Sequence, residues 1–151
     1  MRTVKKIAAI ILTGAMVFSI AGCKSGSKKV SADDFKKACK EVSLTVTDGE
    51  TEDGVKQSIS AKNDDDSIDA SFILATSEDE AKKGFEYFTE NTDSLKAMGA
   101  DVKTSDNKIE VTMTDLMYMY VVRSGDTIIT VSGAGEEQIK TAKELIKKLG
   151  V

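Results

Sequence analysis

The chain contains 151 residues, of which 21 are Lys or Arg and 25 are Asp or Glu, so its formal net charge is −4. This length corresponds to about one domain of roughly 100–200 residues. The chain has no histidine, which excludes His-based catalytic triads and His-ligated metal sites. Its two cysteines are too few for a four-thiolate zinc site or an iron–sulfur cluster.

The start of the chain has the layout of an export signal. Arg2, Lys5 and Lys6 make the first residues basic, and no acidic residue occurs before Asp33. Residues 7–20 then form the uncharged apolar run IAAIILTGAMVFSI, which is shorter than the about 20 residues that span a bilayer. A basic start followed by a short apolar run is typical of a cleaved secretory signal peptide.

The end of the apolar run carries a short motif, Ile20-Ala21-Gly22-Cys23, which resembles the lipobox of bacterial lipoproteins. In that family the signal is cleaved just before the cysteine, here between Gly22 and Cys23, and the cysteine thiol carries a diacylglyceryl group. The resemblance implies a mature protein that is anchored in the cell membrane by lipid at Cys23 and faces outside the cytoplasm. The alternative is an uncleaved anchor helix that ends in a buried cysteine.

The mature chain is expected to consist of a lipidated tether, residues 23–31, and a folded domain, residues 32–151. The tether is rich in Ser, Gly and Lys, a composition typical of flexible linkers. Cleavage of residues 1–22 removes three of the 21 basic residues and none of the 25 acidic ones, so the net charge falls from −4 to −7. An acidic domain argues against nucleic-acid binding, which requires a basic surface.

Three segments of the domain are predicted to be helices, because their apolar residues recur every three or four positions. Capping residues support each prediction, since Ser and Thr satisfy free amides at helix starts and Gly closes helix ends. The second helix also contains a weakly helical stretch at which a break is allowed. The predicted helices begin after Ser31, at Ser77 and at Glu136, and the last two are closed by Gly99 and Gly150.

Seven further segments are strand candidates, because apolar and polar residues alternate along most of them. Their order (helix, three strands, helix, four strands, helix) lacks the regular strand–helix alternation of parallel sheets. The sequence therefore predicts a single α+β domain, with a mostly antiparallel sheet of about six to seven strands and helices packed on one face. The strand candidates cover residues 42–47, 55–62, 68–74, 100–104, 109–113, 116–122 and 127–132.

One strand candidate, residues 116–122 (LMYMYVV), is apolar on both faces. If helices cover only one face, the other presents a stripe of Met or Tyr side chains to solvent, and an exposed apolar patch marks a partner or ligand surface. The alternative is that both faces are covered, or that the sheet curls around them. The candidate partner surface consists of Met117, Tyr118, Met119 and Tyr120.

No motif assigns chemistry to the remaining polar residues. Asp48, Glu50 and Glu52 alternate as calcium ligands do, but the loop has Asp53 where a calcium loop needs glycine and Ile59 at its twelfth position. Both Ser-x-x-Lys matches lack the companion motifs of penicillin-binding enzymes. The second cysteine, Cys39, lies on the apolar face of the first helix and is predicted to be a buried core residue. We therefore assign no catalytic residue, metal ligand or cofactor.

The end of the chain, residues 120–150, resembles small lipoproteins of Gram-positive gut bacteria, which are mostly of unknown function. That resemblance implies surface exposure and supplies no catalytic residue. The anchor, the missing catalytic sets and the strand that is apolar on both faces predict a non-enzymatic binding or interaction module for an unknown envelope protein or ligand. The alternatives are a small-ligand or metal-binding accessory protein of a transporter, and a hydrolase that uses Asp and Glu as acid and base.

Overall fold

The structure, a computed structural model, describes residues 29–151. The predicted signal peptide and Cys23 lie outside the described residues. The helices are α1 (Ala32–Glu41), α2 (Glu78–Glu90), α3 (Thr92–Ala97) and α4 (Glu136–Leu149). The strands are β1 (Thr45–Asp48), β2 (Val55–Lys62), β3 (Ile68–Ala75), β4 (Asp101–Thr104), β5 (Lys108–Met113), β6 (Met117–Ser124) and β7 (Thr127–Ala134).

The seven strands form one sheet in the order β1-β2-β3-β7-β6-β5-β4, and every neighbouring pair is antiparallel. Strands β1 to β3 follow one another along the chain, as do β4 to β7, so each set forms a run of adjacent antiparallel strands. The pairing of β3 with β7 joins the two sets, for example at Phe72 and Ile129. The predicted α+β class and antiparallel sheet are therefore confirmed.

Helices cover both faces of this sheet, so the prediction of helices on one face is wrong. One core contains residues of α1 and α4 together with Phe72 and Ile129, whereas the other contains residues of α2 and α3 together with Ile73 and Ile128. Successive side chains of a strand point to opposite faces. Since neighbours in the central strands are both apolar and buried, a single helical layer would leave half of them in water.

Local sequence signals place the helix ends close to their predicted positions. The Ser31 hydroxyl accepts a 3.1 Å hydrogen bond from the Asp34 amide, and Ser77 caps α2 through the amide of Glu80 at 3.2 Å. The allowed break falls at Asn91, which separates α2 from α3. Strand β1 begins at Thr45 rather than at residue 42, because α1 extends through residue 41 before the chain turns towards the sheet.

Candidate functional site

The predicted partner surface on β6 is buried. Tyr118, Met119 and Tyr120 are 3%, 1% and 8% exposed, and Met117 is half-buried. Tyr118 and Tyr120 contribute to the core beneath α1 and α4, whereas Met119 belongs to the core beneath α2 and α3. The prediction of an exposed Met or Tyr stripe is therefore wrong. The alternative, in which both faces of the strand are covered, is confirmed.

The two tyrosines of β6 have polar contacts at the margin of their core. The Tyr118 hydroxyl donates a 3.0 Å hydrogen bond to Oε1 of Glu110 on β5. Burial, reinforced by the adjacent Glu110 carboxylate, raises the pKa of Tyr118. Lys143 Nζ lies 4.9 Å from the centre of the Tyr118 ring, and Lys108 Nζ lies 5.9 Å from that of Tyr120. The hydrogen bond satisfies the hydroxyl of Tyr118, and the two lysines lie over the ring faces, which attract cations.

Cys39 is a core residue, as its place on the apolar face of α1 predicts. It is fully buried, and burial raises the pKa of its thiol to about 12. Because the thiolate is the reactive form of cysteine, this side chain is inert at neutral pH. The predicted lipidation residue Cys23 and its cleavage neighbour Gly22 lie outside the described residues.

Acidic residues beside the β1–β2 and β2–β3 connections have partners within the domain. Asp48 Oδ1 lies 2.6 Å from Lys36 Nζ, and the Asp65 carboxylate accepts a 3.1 Å hydrogen bond from the Ser67 amide. Hydrogen bonds from the Ser67 hydroxyl and amide lower the pKa of Asp65. Within residues 29–151, no group of three or more Cys, Asp or Glu side chains is arranged to hold a metal ion.

A cleft of about 640 Å³ opens between α2 and the turn that joins β4 to β5, with β6 at its inner end. This volume falls within the about 300–1,000 Å³ of ordinary ligand pockets. Its lining is mainly charged and has one buried aromatic ring, that of Phe85. The acidic lining residues are Glu78, Asp79, Glu86 and Asp106; the basic ones are Lys82 and Arg123; Thr89 and Ser105 add hydroxyls.

Arg123 is a half-buried cationic residue in the lining of this cleft. Its Nη1 lies 3.5 Å from the carbonyl oxygen of Gly125, and its Nε is buried without a hydrogen-bond partner among the described residues. Glu78 also approaches this turn, because its Oε1 would lie 3.3 Å from a Cβ added at Gly125. Arg123, whose Nε has no acceptor, thus lines the same cleft as four acidic residues. Within residues 29–151, none of these carboxylates is a hydrogen-bond partner of Arg123.

Sequence reasoning missed this cleft, because its residues come from segments that are far apart along the chain. The β4–β5 turn, which contains Asp106, and the first turn of α2, which contains Glu78, lie close together only because the strands between them pair into one sheet. One signal was present in the sequence, since Arg123 is the only arginine after Arg2 in a chain that otherwise uses lysine. Arginine is the residue that binds carboxylates in a two-pronged geometry, which lysine does not reproduce.

The folded domain starts at the same end of the sheet as the cleft, but on the opposite face. Val30 is 2% exposed and belongs to the core beneath α1 and α4, so the fold includes this residue of the predicted tether. Lys29 Nζ lies 2.9 Å from Asp126 Oδ1 in the turn between β6 and β7. This contact lowers the pKa of Asp126. The chain therefore enters the domain next to Gly125, at the end of the sheet where the cleft lies.

Comparisons with known proteins give no family for this chain. No protein-family model matches the sequence, and no curated protein matches it significantly. None of the helices within residues 29–151 is long and apolar enough to cross a membrane. The fold and the cleft define an α+β domain whose antiparallel sheet is covered on both faces and bears a charged cleft at one end.

Proposed function

We propose that this chain is a lipid-anchored extracytoplasmic protein whose folded domain binds a ligand or partner and performs no catalysis. The observation that carries the proposal is the motif Ile20-Ala21-Gly22-Cys23, placed directly after a basic start and a short apolar run. A peptidase that cleaves before Cys23 would leave two acyl chains on the new N-terminus, and two chains hold a protein stably on a membrane.

The position at which the chain enters the domain supports this arrangement. Lys29 is only six residues after Cys23, and a segment of that length spans at most about 20 Å. Because Lys29 contacts Asp126, the turn between β6 and β7 would stay close to the membrane surface. The cleft at Arg123 would then open near the membrane and not at the far end of the domain.

The chemistry of the cleft supports binding over catalysis. Glu78, Asp79 and Glu86 are exposed at its margin, whereas an acid–base pair for hydrolysis usually includes a carboxyl group whose pKa is raised by burial. The thiol of Cys39, which is buried and protonated, lies in the core and is not among the residues that line the cleft. A concave site that combines charged groups of both signs with one aromatic side chain is suited to holding a charged ligand.

A second candidate function is that of a small-ligand accessory protein of a transporter. The observation that favours it is the cleft beside the β6–β7 turn, which the tether would hold towards the membrane. A ligand released there would lie close to a membrane-embedded partner. Copurification of a transporter with the lipidated protein, lost on cleavage of the tether, would distinguish this role from binding of a wall component.

The lipid anchor is tested by labelling growing cells with a radioactive fatty acid and separating membranes from soluble protein. The wild-type chain and its Cys39→Ser variant are expected to carry label and to sediment with membranes. The Cys23→Ser variant is expected to carry none, since it lacks the thiol that accepts the lipid. Label on Cys23→Ser, or none on the wild type, would overturn the proposal.

A further inference from the structure

We infer that the cleft between α2 and the β4–β5 turn binds a small basic zwitterion, namely a basic amino acid or a short basic peptide with a free carboxylate. Arg123 would pair with the carboxylate, and the acidic residues at the margin would pair with the ammonium groups. This inference rests on the proposed binding function and adds the chemical class of the ligand.

The state of Arg123 points to a carboxylate. Its Nε is buried and has no acceptor among the described residues, and its Nη1 has only a long contact, 3.5 Å, with the Gly125 carbonyl oxygen. The Arg123 side chain also lines the cleft, and its planar guanidinium matches the two oxygens of a carboxylate. A ligand that brings a carboxylate would therefore offer Nη1 a stronger acceptor than the Gly125 carbonyl oxygen does.

The margin of the cleft points to positive charge elsewhere on the same ligand. Four carboxylates line the cleft against two basic side chains, and one of the two, Lys82, lies 3.9 Å from Glu86. A simple anion would be attracted by Arg123 but repelled by these carboxylates. A ligand with one carboxylate and an excess of ammonium groups is attracted by both parts of the lining.

The remaining lining residues fit the body of such a ligand. Phe85 is 4% exposed and provides an apolar wall, against which the methylene groups of a lysine-like side chain can pack. Thr89 and Ser105 donate their hydroxyl protons to the Phe85 carbonyl and to Asn107 Oδ1, so their oxygens can accept from a ligand ammonium. Glu78 and Arg123 both approach Gly125, so opposite charges of one compact ligand have adjacent partners.

The ligand class is tested by titration calorimetry on the full lipidated chain in a neutral detergent at low ionic strength. The probes are L-lysine, L-lysyl-L-lysine, acetate and 1,4-diaminobutane. We expect L-lysine or the dipeptide to bind at one site at least tenfold more tightly than acetate or diaminobutane, and the tighter of the two shows whether the amino acid or the peptide is preferred. Failure of both to bind overturns the inference, as does equally tight binding of acetate or of diaminobutane.

Matched variants show whether the bound probe occupies this cleft. Arg123→Gln is expected to weaken binding at least tenfold, whereas Lys103→Gln removes the same charge from an exposed position on β4 and is expected to leave binding unchanged. Circular dichroism checks that each variant folds. If Arg123→Gln does not fold, the exposed Asp106→Asn gives the result, with a threefold or larger loss expected.

Unchanged binding in Arg123→Gln, or in Asp106→Asn where that variant decides, overturns the inference. The outcome is independent of the lipid anchor. If the chain is labelled at Cys23 but binds none of the probes, the proposed anchoring stands and the ligand class is wrong. If the chain binds L-lysine but carries no lipid label, the ligand class stands and the anchoring is wrong.

Discussion

Tyr118 and Glu110 are joined by a 3.0 Å hydrogen bond between neighbouring strands, with the hydroxyl as donor and Oε1 as acceptor. The tyrosine ring is 3% exposed and faces α4, whose Lys143 lies above it. Burial and the adjacent carboxylate both disfavour the tyrosinate, so the pKa of Tyr118 is raised above its usual value. The β5–β6 pair therefore has a pH-dependent contribution to stability.

The Tyr118→Phe variant tests this contribution. Below the ordinary tyrosine pKa of about 10 the folded protein retains the full hydrogen bond, so the variant should lose about 1–2 kcal/mol. Above that pH the unfolded chain loses the proton and the folded chain retains it, so wild-type stability falls by up to about 1.4 kcal/mol per pH unit. Urea unfolding at pH 9 and 11 should show the stability difference between the wild type and Tyr118→Phe shrinking, and an unchanged difference would contradict the raised pKa of Tyr118.

Alanine substitutions at two consecutive residues test whether both faces of β6 are covered. Val121 is 0% and Val122 is 2% exposed, and they belong to the cores on opposite faces. Each Val→Ala change should therefore cost about 2 kcal/mol of unfolding free energy. Leu116→Ala, at a residue that is 65% exposed, should change stability by less than about 0.5 kcal/mol. A loss at only one of the two valines would contradict the two-faced arrangement.

The burial of Cys39 predicts a thiol that cannot be alkylated in the folded state. Its pKa of about 12 leaves only about one thiolate in ten thousand at pH 8. In the Cys23→Ser chain, where Cys39 is the single thiol, iodoacetamide at pH 8 should leave the folded protein unmodified and react after addition of urea. Mass spectrometry gives the extent. Rapid alkylation without urea would contradict a buried thiol.

The ion pair between Lys29 and Asp126 is expected to stabilise the fold weakly, and this stabilisation should be lost in acid. Lys29 lowers the pKa of Asp126, so the stabilisation is present above the ordinary carboxyl pKa of about 4 and is lost as the pH falls below it. Because both side chains are partly exposed, the gain is at most about 1 kcal/mol. A double-mutant cycle with Lys29→Met and Asp126→Asn should give that coupling at pH 7 and a smaller one at pH 2.5. An equal coupling free energy at both pH values would show that the coupling does not come from the charge of Asp126.

Much of the fold could be predicted because local signals coincide with the chain's long-range arrangement. Ser31 and Ser77 cap helices as hydroxyl side chains at such positions should, and β2 has the bounds that its alternating pattern predicts. Cys39 is buried because its spacing with Phe35 and Ala38 places it on the apolar face of α1. Each of these properties depends on residues a few positions apart.

The position of the helices relative to the sheet could not be predicted in the same way. The apolar pattern of β6 is compatible with two covered faces or with one covered and one exposed, and the choice depends on the side to which α2 crosses after β3. The cleft depends on the same crossing, because α2 brings Glu78 and Phe85 over the end of β6 that holds Arg123. Periodicity within a helix specifies which of its faces is apolar, but not the layer that it joins.

The hydrogen-bonded pairing of β3 with β7 in the middle of the sheet also sets the order in which this protein can be assembled. Asp69 and Ser132, which are 63 residues apart, are neighbours in that pairing, so an emerging chain makes β3 long before its partner exists. Until about residue 134 is present, β3 has an open edge of the kind that pairs with other chains. Distant pairings of this kind also slow folding. A chain cut before Thr127 would lack the strand that joins its two halves, and we expect it to aggregate rather than to form a smaller version of the same domain.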